Sequence, residues 1–70
     1  MAARIPEVVK EKILGFPEYK MGTHKVALFM KDGTVIEDVI VAWGDEVVRV
    51  AGVDGCPFDP REVIDAADRS

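Results

Sequence analysis

The residues of this chain able to do chemistry are few and scattered. There is one histidine, His24, and one cysteine, Cys56. Two adjacent carboxylates, Glu37 and Asp38, sit mid-chain, and Asp54, Asp59, Asp65 and Asp68 spread over the C-terminal part. One imidazole and one thiol cannot close a tetrahedral metal site. His24 begins a strand beside Lys25, where it would sense pH or meet an anion, but no carboxylate or cysteine lies at ligand spacing. It reads as an exposed strand-end histidine. Cys56 has Gly55 and Pro57 as neighbours and Asp54 and Asp59 beyond, and a nucleophilic thiolate needs a basic neighbour instead. Calcium loops alternate acids ahead of a glycine and a trailing glutamate, a pattern that Val53-Asp-Gly-Cys-Pro-Phe-Asp59 lacks. Glu37-Asp38 would suit acid–base work as a pair, yet a bulge in a bent strand explains them as well. No catalytic constellation emerges, so a non-enzymatic chain without cofactor or metal is expected.

The elements that position these residues centre on 25–51. Lys25-Val-Ala-Leu-Phe-Met-Lys31 and Thr34-Val-Ile-Glu-Asp-Val-Ile-Val-Ala-Trp43 alternate apolar and polar residues around Asp32-Gly33, a strong two-residue hairpin signal. That turn places Met30 opposite Val35 and Phe29 opposite Ile36. A second two-residue turn at Gly44-Asp45 places Trp43 opposite Glu46 and Val41 opposite Val48. Side chains alternate across a sheet, so one face carries Val26, Leu28, Met30, Val35, Val39, Val41, Val48 and Val50 as core. The other face carries Phe29, Ile36, Ile40 and Val47 at its centre, ringed by Lys25, Lys31, Asp38 and Arg49. That is more apolar surface than a solvated face needs, and an apolar centre with a polar rim is how interfaces are built. These four, with Trp43 at the strand tip, are the candidate protein-interaction residues.

Ahead of the sheet, Ile5-Pro-Glu-Val-Val-Lys-Glu-Lys-Ile-Leu-Gly15 reads as a short helix, with Pro6 at its first position and Gly15 at its stop. Ile5, Val9 and Ile13, with Val8 alongside, make one apolar stripe. The connection 16–23 is interrupted by Pro17 and Gly22, with Phe16, Tyr19 and Met21 as apolar anchors. After the meander, Asp59-Pro-Arg-Glu62 is a helix-start signature, with Asp59 as N-cap, Glu62 closing a capping box, and Phe58 and Val63 at staple positions. Beyond it, Val63-Ile-Asp-Ala-Ala-Asp68 reads either as a continued helix or as a short edge strand after a single turn.

Seventy residues make one domain, 1–70. A chain this short buries only about 60% of its unfolded surface, so it commonly needs a disulfide, a metal or a partner chain. With one cysteine and no metal set, association is what remains, as a homodimer or as a subunit of a larger complex. Thirteen acids against nine bases give a net charge of −4, which disfavours nucleic acid as partner. The charge is uneven: residues 1–25 hold five bases and three acids, whereas 54–70 hold two bases and five acids. A nucleic-acid site, the alternative, would use Lys20, His24, Lys25 and Lys31 near one end of the sheet. No leader pattern opens the chain, no apolar run spans a membrane, and the lone cysteine suits a reducing compartment, so a cytoplasmic protein is expected.

Lys31-Asp-Gly-Thr34, followed by Val35-Ile-Glu-Asp-Val-Ile-Val41 and Gly44-Asp-Glu-Val-Val-Arg-Val50, resembles the opening strands of small SH3-like barrels. Over residues 5–51 the order of helix, strand, long bent strand and third strand is most similar to the Sm-type arrangement. Sm-type proteins bind RNA bases through an Asn-containing loop after the second strand and an Arg-Gly near the chain end. Here that loop is Trp43-Gly-Asp-Glu46 and no Arg-Gly occurs, so the resemblance does not imply RNA binding. Cys56-Pro-Phe-Asp-Pro60 is similar to the closing segment of PRC-type barrels, which are interaction modules. The expected fold is mainly β within an α+β domain: a small SH3-like barrel or a three-stranded antiparallel meander, with an N-terminal helix and a short C-terminal helical turn.

Overall fold

Two apolar eight-residue strands joined by a short loop are the centre of the structure, with a further strand paired to each. A computed structural model describes residues 4–69; Met1–Ala3, part of the segment read for a leader, and Ser70 lie outside the described residues. In order these are α1 (Glu7–Leu14), β1 (Thr23–Met30), β2 (Val35–Ala42), β3 (Glu46–Val50), β4 (Val53–Asp54), a 3-10 turn at Pro60–Glu62, and β5 (Val63–Asp68). The sheet is antiparallel with strand order β4-β3-β2-β1-β5. Its end strands β4 and β5 do not pair, so the sheet stays open rather than closing into a barrel. The expected meander β1-β2-β3 is its middle, extended by one strand on each side.

Both hairpins differ from the expected two-residue turns, and the difference moves side chains between faces. In the first, Met30 N–H donates to Thr34 C=O at 2.8 Å, leaving Lys31, Asp32 and Gly33 in the loop. Gly33 alone takes positive φ (92°), whereas Asp32 does not, as in a type I turn closed by a left-handed glycine. Phe29 therefore opposes Val35 rather than Ile36, and Leu28 opposes Ile36. In the second, Trp43 (φ 56°) and Gly44 (φ 83°) are the turn centre, and Ala42 opposes Glu46. Val41 then opposes Val47, not Val48. Ile36 and Val47 consequently belong to the core side, while Val35 is exposed and Val48 turns to the other face.

Two bulges restore the alternation. Between Val26↔Val39 and Leu28↔Ile36 the long strand spends two residues, Glu37 and Asp38, against one on β1, and Asp38 adopts φ 57°. The expected bulge is there, and both carboxylates reach solvent beside cations: Arg69 donates to Glu37 at 3.2 Å and Lys25 lies 3.7 Å from Asp38. The second bulge is Val48, between Val41↔Val47 and Ile40↔Arg49.

One sheet face is covered. Ile5, Val9 and Ile13 line the buried side of the N-terminal segment, but Val8, expected alongside them, is 79% exposed. Pro6 is the N-cap rather than the first helical residue, and Gly15 (φ −81°) is not left-handed; its N–H bonds to Lys12 C=O. The segment between β4 and β5 packs Cys56 and Phe58 on the same core, and β5 adds Val63 and Ala66. Asp59 caps Pro60–Glu62 by accepting from Arg61 N–H at 3.0 Å, and the chain then continues as strand, settling the two readings of 63–68. The Glu62 carboxylate faces Lys31 at 3.7 Å instead of completing a capping box. In the 16–22 connection only Phe16 packs on the core; Met21 is 94% exposed.

These placements set stability expectations. Val39→Ala, at a fully buried β2 position, should cost roughly 1–3 kcal/mol by urea titration. Gly33→Val should cost at least about 1 kcal/mol because a β-branched residue resists the left-handed turn position. Lys31→Ala should leave the midpoint in place.

Acid sensitivity follows from the ion pairs. The Arg61 side chain holds the Asp59 carboxyl below its ordinary value of 3.8, and the Lys12 ammonium, 2.6 Å away, does the same for Asp65. Folded values depressed below unfolded ones contribute stability that is present above the ordinary carboxylate range and lost as pH falls through the folded values. Urea midpoints followed from about pH 5 to pH 2 should fall less steeply in Asp65→Asn than in wild type.

Candidate interaction surface

The uncovered face of the sheet carries a cleft built by the loop between α1 and β1. Tyr19 N–H donates to Thr23 C=O and Thr23 N–H to Lys20 C=O, folding the loop back on the strand it enters. The Glu18 carboxylate accepts from Gly22 N–H at 3.1 Å, and Gly22 takes φ 76° to close the reversal. Tyr19, Lys20 and Met21 thereby face Ile40, Val48 and Arg49 across a cavity of about 390 Å³. Ile40 and Val48 are half-buried members of the cleft. The Lys20 and Lys25 ammonium groups lie 5.7 and 5.6 Å from the Tyr19 ring centre, within cation–π range. Arg49 is held by Asp54 at 3.0 Å, and Lys25 lies 3.7 Å from Asp38.

Trp43 continues this surface at the end of the sheet. Its backbone N–H donates to Gly22 C=O at 2.8 Å, and its ring lies so close to Gly22 that a Cβ there would sit 2.8 Å from it. Leu14, at the end of α1, packs on Gly44 with the same closeness. Trp43 remains 68% exposed, and Leu14 and Met21 are exposed beside it in the chain path. Behind this tip, the Asp45 carboxylate is buried and meets Arg4 at 3.0 Å and Lys10 at 3.8 Å, while its C=O accepts from Ile5 N–H. These contacts tie the hairpin tip to the N-terminal segment.

Of the five residues expected to make an interaction face, Phe29 and Ile40 lie on the uncovered side and Trp43 at its end, but Ile36 and Val47 do not join them. Ile36 is half-buried against the core and Val47 is within it. The odd-length loops described above are the cause. Tyr19, Lys20 and Met21 were not expected beside Ile40, since only the fold-back of the loop brings them there, and Val48, expected in the core, joins them through the β3 bulge. The visible signal was Gly22, a glycine between a solvated apolar segment and a strand. Of the basic set, Lys20 and Lys25 come together at the Tyr19 ring, His24 is buried and Lys31 stands apart. Lys31 lies past the far end of β1, eight residues or about 26 Å at strand spacing from Thr23, which Lys20 bridges, and is paired with Glu62.

His24 is buried, not an exposed strand-end residue: it is 3% exposed and neither ring nitrogen has a hydrogen-bond partner among the described residues. It pairs with Val41 and shares the core-side parity of Val26 and Leu28. The Cys56 thiol donates to Phe58 C=O at 3.1 Å and is half-buried. Among the described residues no three His, Cys, Asp or Glu side chains converge to hold a metal, and no helix is long and apolar enough to cross a membrane. Comparison with protein-family models, curated proteins and solved structures yields no match, so the surface must be read from its own chemistry.

A buried imidazole without partners opposes folding. His24→Leu should therefore raise stability by about 1 kcal/mol in urea titration. A loss of stability would mean that the ring is hydrogen-bonded in solution.

Proposed function

We propose that this chain is a non-enzymatic binding or assembly module that meets a protein through the uncovered sheet face and the Trp43 tip, in a homo-oligomer or a larger complex. The observation that carries this reading is Trp43. Its φ of 56° is one that asparagine or glycine adopts readily and an aromatic residue does not, and such strain costs on the order of 1–2 kcal/mol. The side chain that bears this cost is mostly in water, where it recovers little by burial. Tryptophan in such a position suits a binding anchor, since it is prominent among interface hot spots. Met21 joins the tip to the cleft, so anchor and cleft make one surface with an apolar centre and charged edges. A cytoplasmic setting, with the lone Cys56 reduced, accords with this role.

The alternative, a nucleic-acid site, draws on Lys20 and Lys25 beside Tyr19. Against it stand Asp38 and Asp54 on the same face and a net charge of −4.

Trp43→Asn separates function from folding. Relieved of its strain, the variant should keep or raise the urea midpoint. In sedimentation equilibrium it should associate less than wild type, and Ile40→Lys should do likewise while staying folded. If Trp43→Asn instead unfolds the chain, the side chain is structural and the reading is lost. A wild type monomeric at high micromolar concentration would exclude the homodimer and leave a heterologous protein as partner.

A further inference from the structure

We propose that the cleft beneath Tyr19 binds an extended acidic segment of a partner protein, seating one aliphatic or aromatic side chain over Ile40 and Val48. The inference rests on the protein-binding reading above and names the chemistry of the partner. Its first support is the row of residues across the face. Lys25 opposes Ile40, Ile40 opposes Arg49, and Arg49 opposes Asp54, so two cations flank an apolar centre on three adjacent strands. At sheet spacing the two cationic residues start about 10 Å apart, with Ile40 midway. In an extended peptide, the residues two before and two after an anchor project to its own side. Carboxylates at those positions lie within reach of the long Lys25 and Arg49 side chains.

The second support is the state of the cations. Lys25 and Arg49 are held at 3.7 and 3.0 Å by Asp38 and Asp54, both solvent-exposed carboxylates that a competing anion can replace at little cost. Lys20 has no carboxylate partner among the described residues; its ammonium rests near the Tyr19 ring. It leaves the rim one positive charge in excess over its paired neighbours. The third is size and adaptability. A cavity of about 390 Å³ accepts a large side chain with some main chain, and Met21, unbranched and exposed, can fold onto it.

The same features disfavour a nucleic acid strand. Two ammonium groups already crowd the Tyr19 ring, limiting base stacking, and a polyanion would pass Asp38 and Asp54 with no aliphatic anchor to offset the repulsion.

The test is titration of isotope-labelled protein, followed by amide shifts, with three probes: a capped peptide Asp-Asp-Leu-Asp-Asp, its Lys-flanked counterpart, and oligouridylate. The acidic peptide should move the Lys20, Ile40 and Arg49 amides. Its affinity should fall about fivefold in Lys20→Met and further in Lys20→Glu, both with unchanged urea midpoints. Absence of shifts up to about millimolar peptide, or equal binding of the Lys-flanked peptide, overturns the proposal. So does oligouridylate binding at these residues, which would assign the cleft to nucleic acid. Wild-type self-association abolished by Lys20→Glu, with no response to peptide, overturns it in favour of a second copy. If the peptide fails while Trp43→Asn still reduces association, the acidic-segment proposal falls and the protein-binding reading stands.

Discussion

The period of two along a strand governs this protein. Once one sheet face is buried, each insertion of a single residue would send the rest of a strand to the wrong side. Both hairpins here use three-residue loops, Lys31–Gly33 and Trp43–Asp45, and each is followed by a one-residue bulge, at Glu37–Asp38 and at Val48. Loop and bulge act as a pair of compensating phase shifts. The first brings Ile36 inward and the second returns Val39 and Val41 to the core. Asp38 takes the left-handed conformation that the first correction needs. The bulges also sharpen twist, which lets a sheet of only five strands wrap around Ile13, Val26 and Leu28 without closing.

That curvature makes a thin cover sufficient. An eight-residue helix and the crossing segment with Cys56 and Phe58 occupy one side, and β5 closes the flank with Val63 and Ala66. The polar ties are set where cover meets sheet: Lys12 to Asp65, Arg4 and Lys10 to Asp45, and Lys31 N–H to Glu62 C=O. The exposed Lys12–Asp65 pair contributes little energy, but together these ties fix where the helix and the crossing lie. The Asp45 cluster has a further effect, since it immobilises the very tip that presents Trp43.

Much of this architecture was legible in the chain. Val26, Leu28, Met30, Val39 and Val41 alternate cleanly, Ile5, Val9 and Ile13 recur at helical spacing, and Asp59-Pro60 announces a capped turn. The loop lengths were not legible, because Asp32-Gly33 satisfies a two-residue and a three-residue hairpin alike. At the second turn, a tryptophan at positive φ runs against local preference, so Gly44-Asp45 reads as the natural centre. That misreading flipped Val47 and Val48, just as the first flipped Val35 and Ile36. His24 escaped for a related reason: nothing local distinguishes a strand's exposed first residues from ones buried beside a paired strand. The cleft was the least legible feature, since Tyr19 and Ile40 meet only through a fold-back held by main-chain bonds, the Glu18 carboxylate and the Thr23 hydroxyl. What local propensity contradicts, as at Trp43, is where long-range demands are strongest.

The two borders of the sheet have different fates. Along β3, Arg4 bridges to Glu46, Val53 and Asp54 pair with Val50 and Arg49, and Gly55 N–H takes Val48 C=O, so little main chain is left open. Along β5, no further strand pairs among the described residues, and the strand carries a bulge at Ile64 with Asp65 and Asp68 nearby. Strand-to-strand polymerisation requires a donor border and an acceptor border on every molecule. A molecule with one usable border is a chain terminator: any pairing through β5 stops at two. A two-residue β4 thus offers little main chain from which a second sheet could be continued, and that shortness is itself a guard against end-to-end growth.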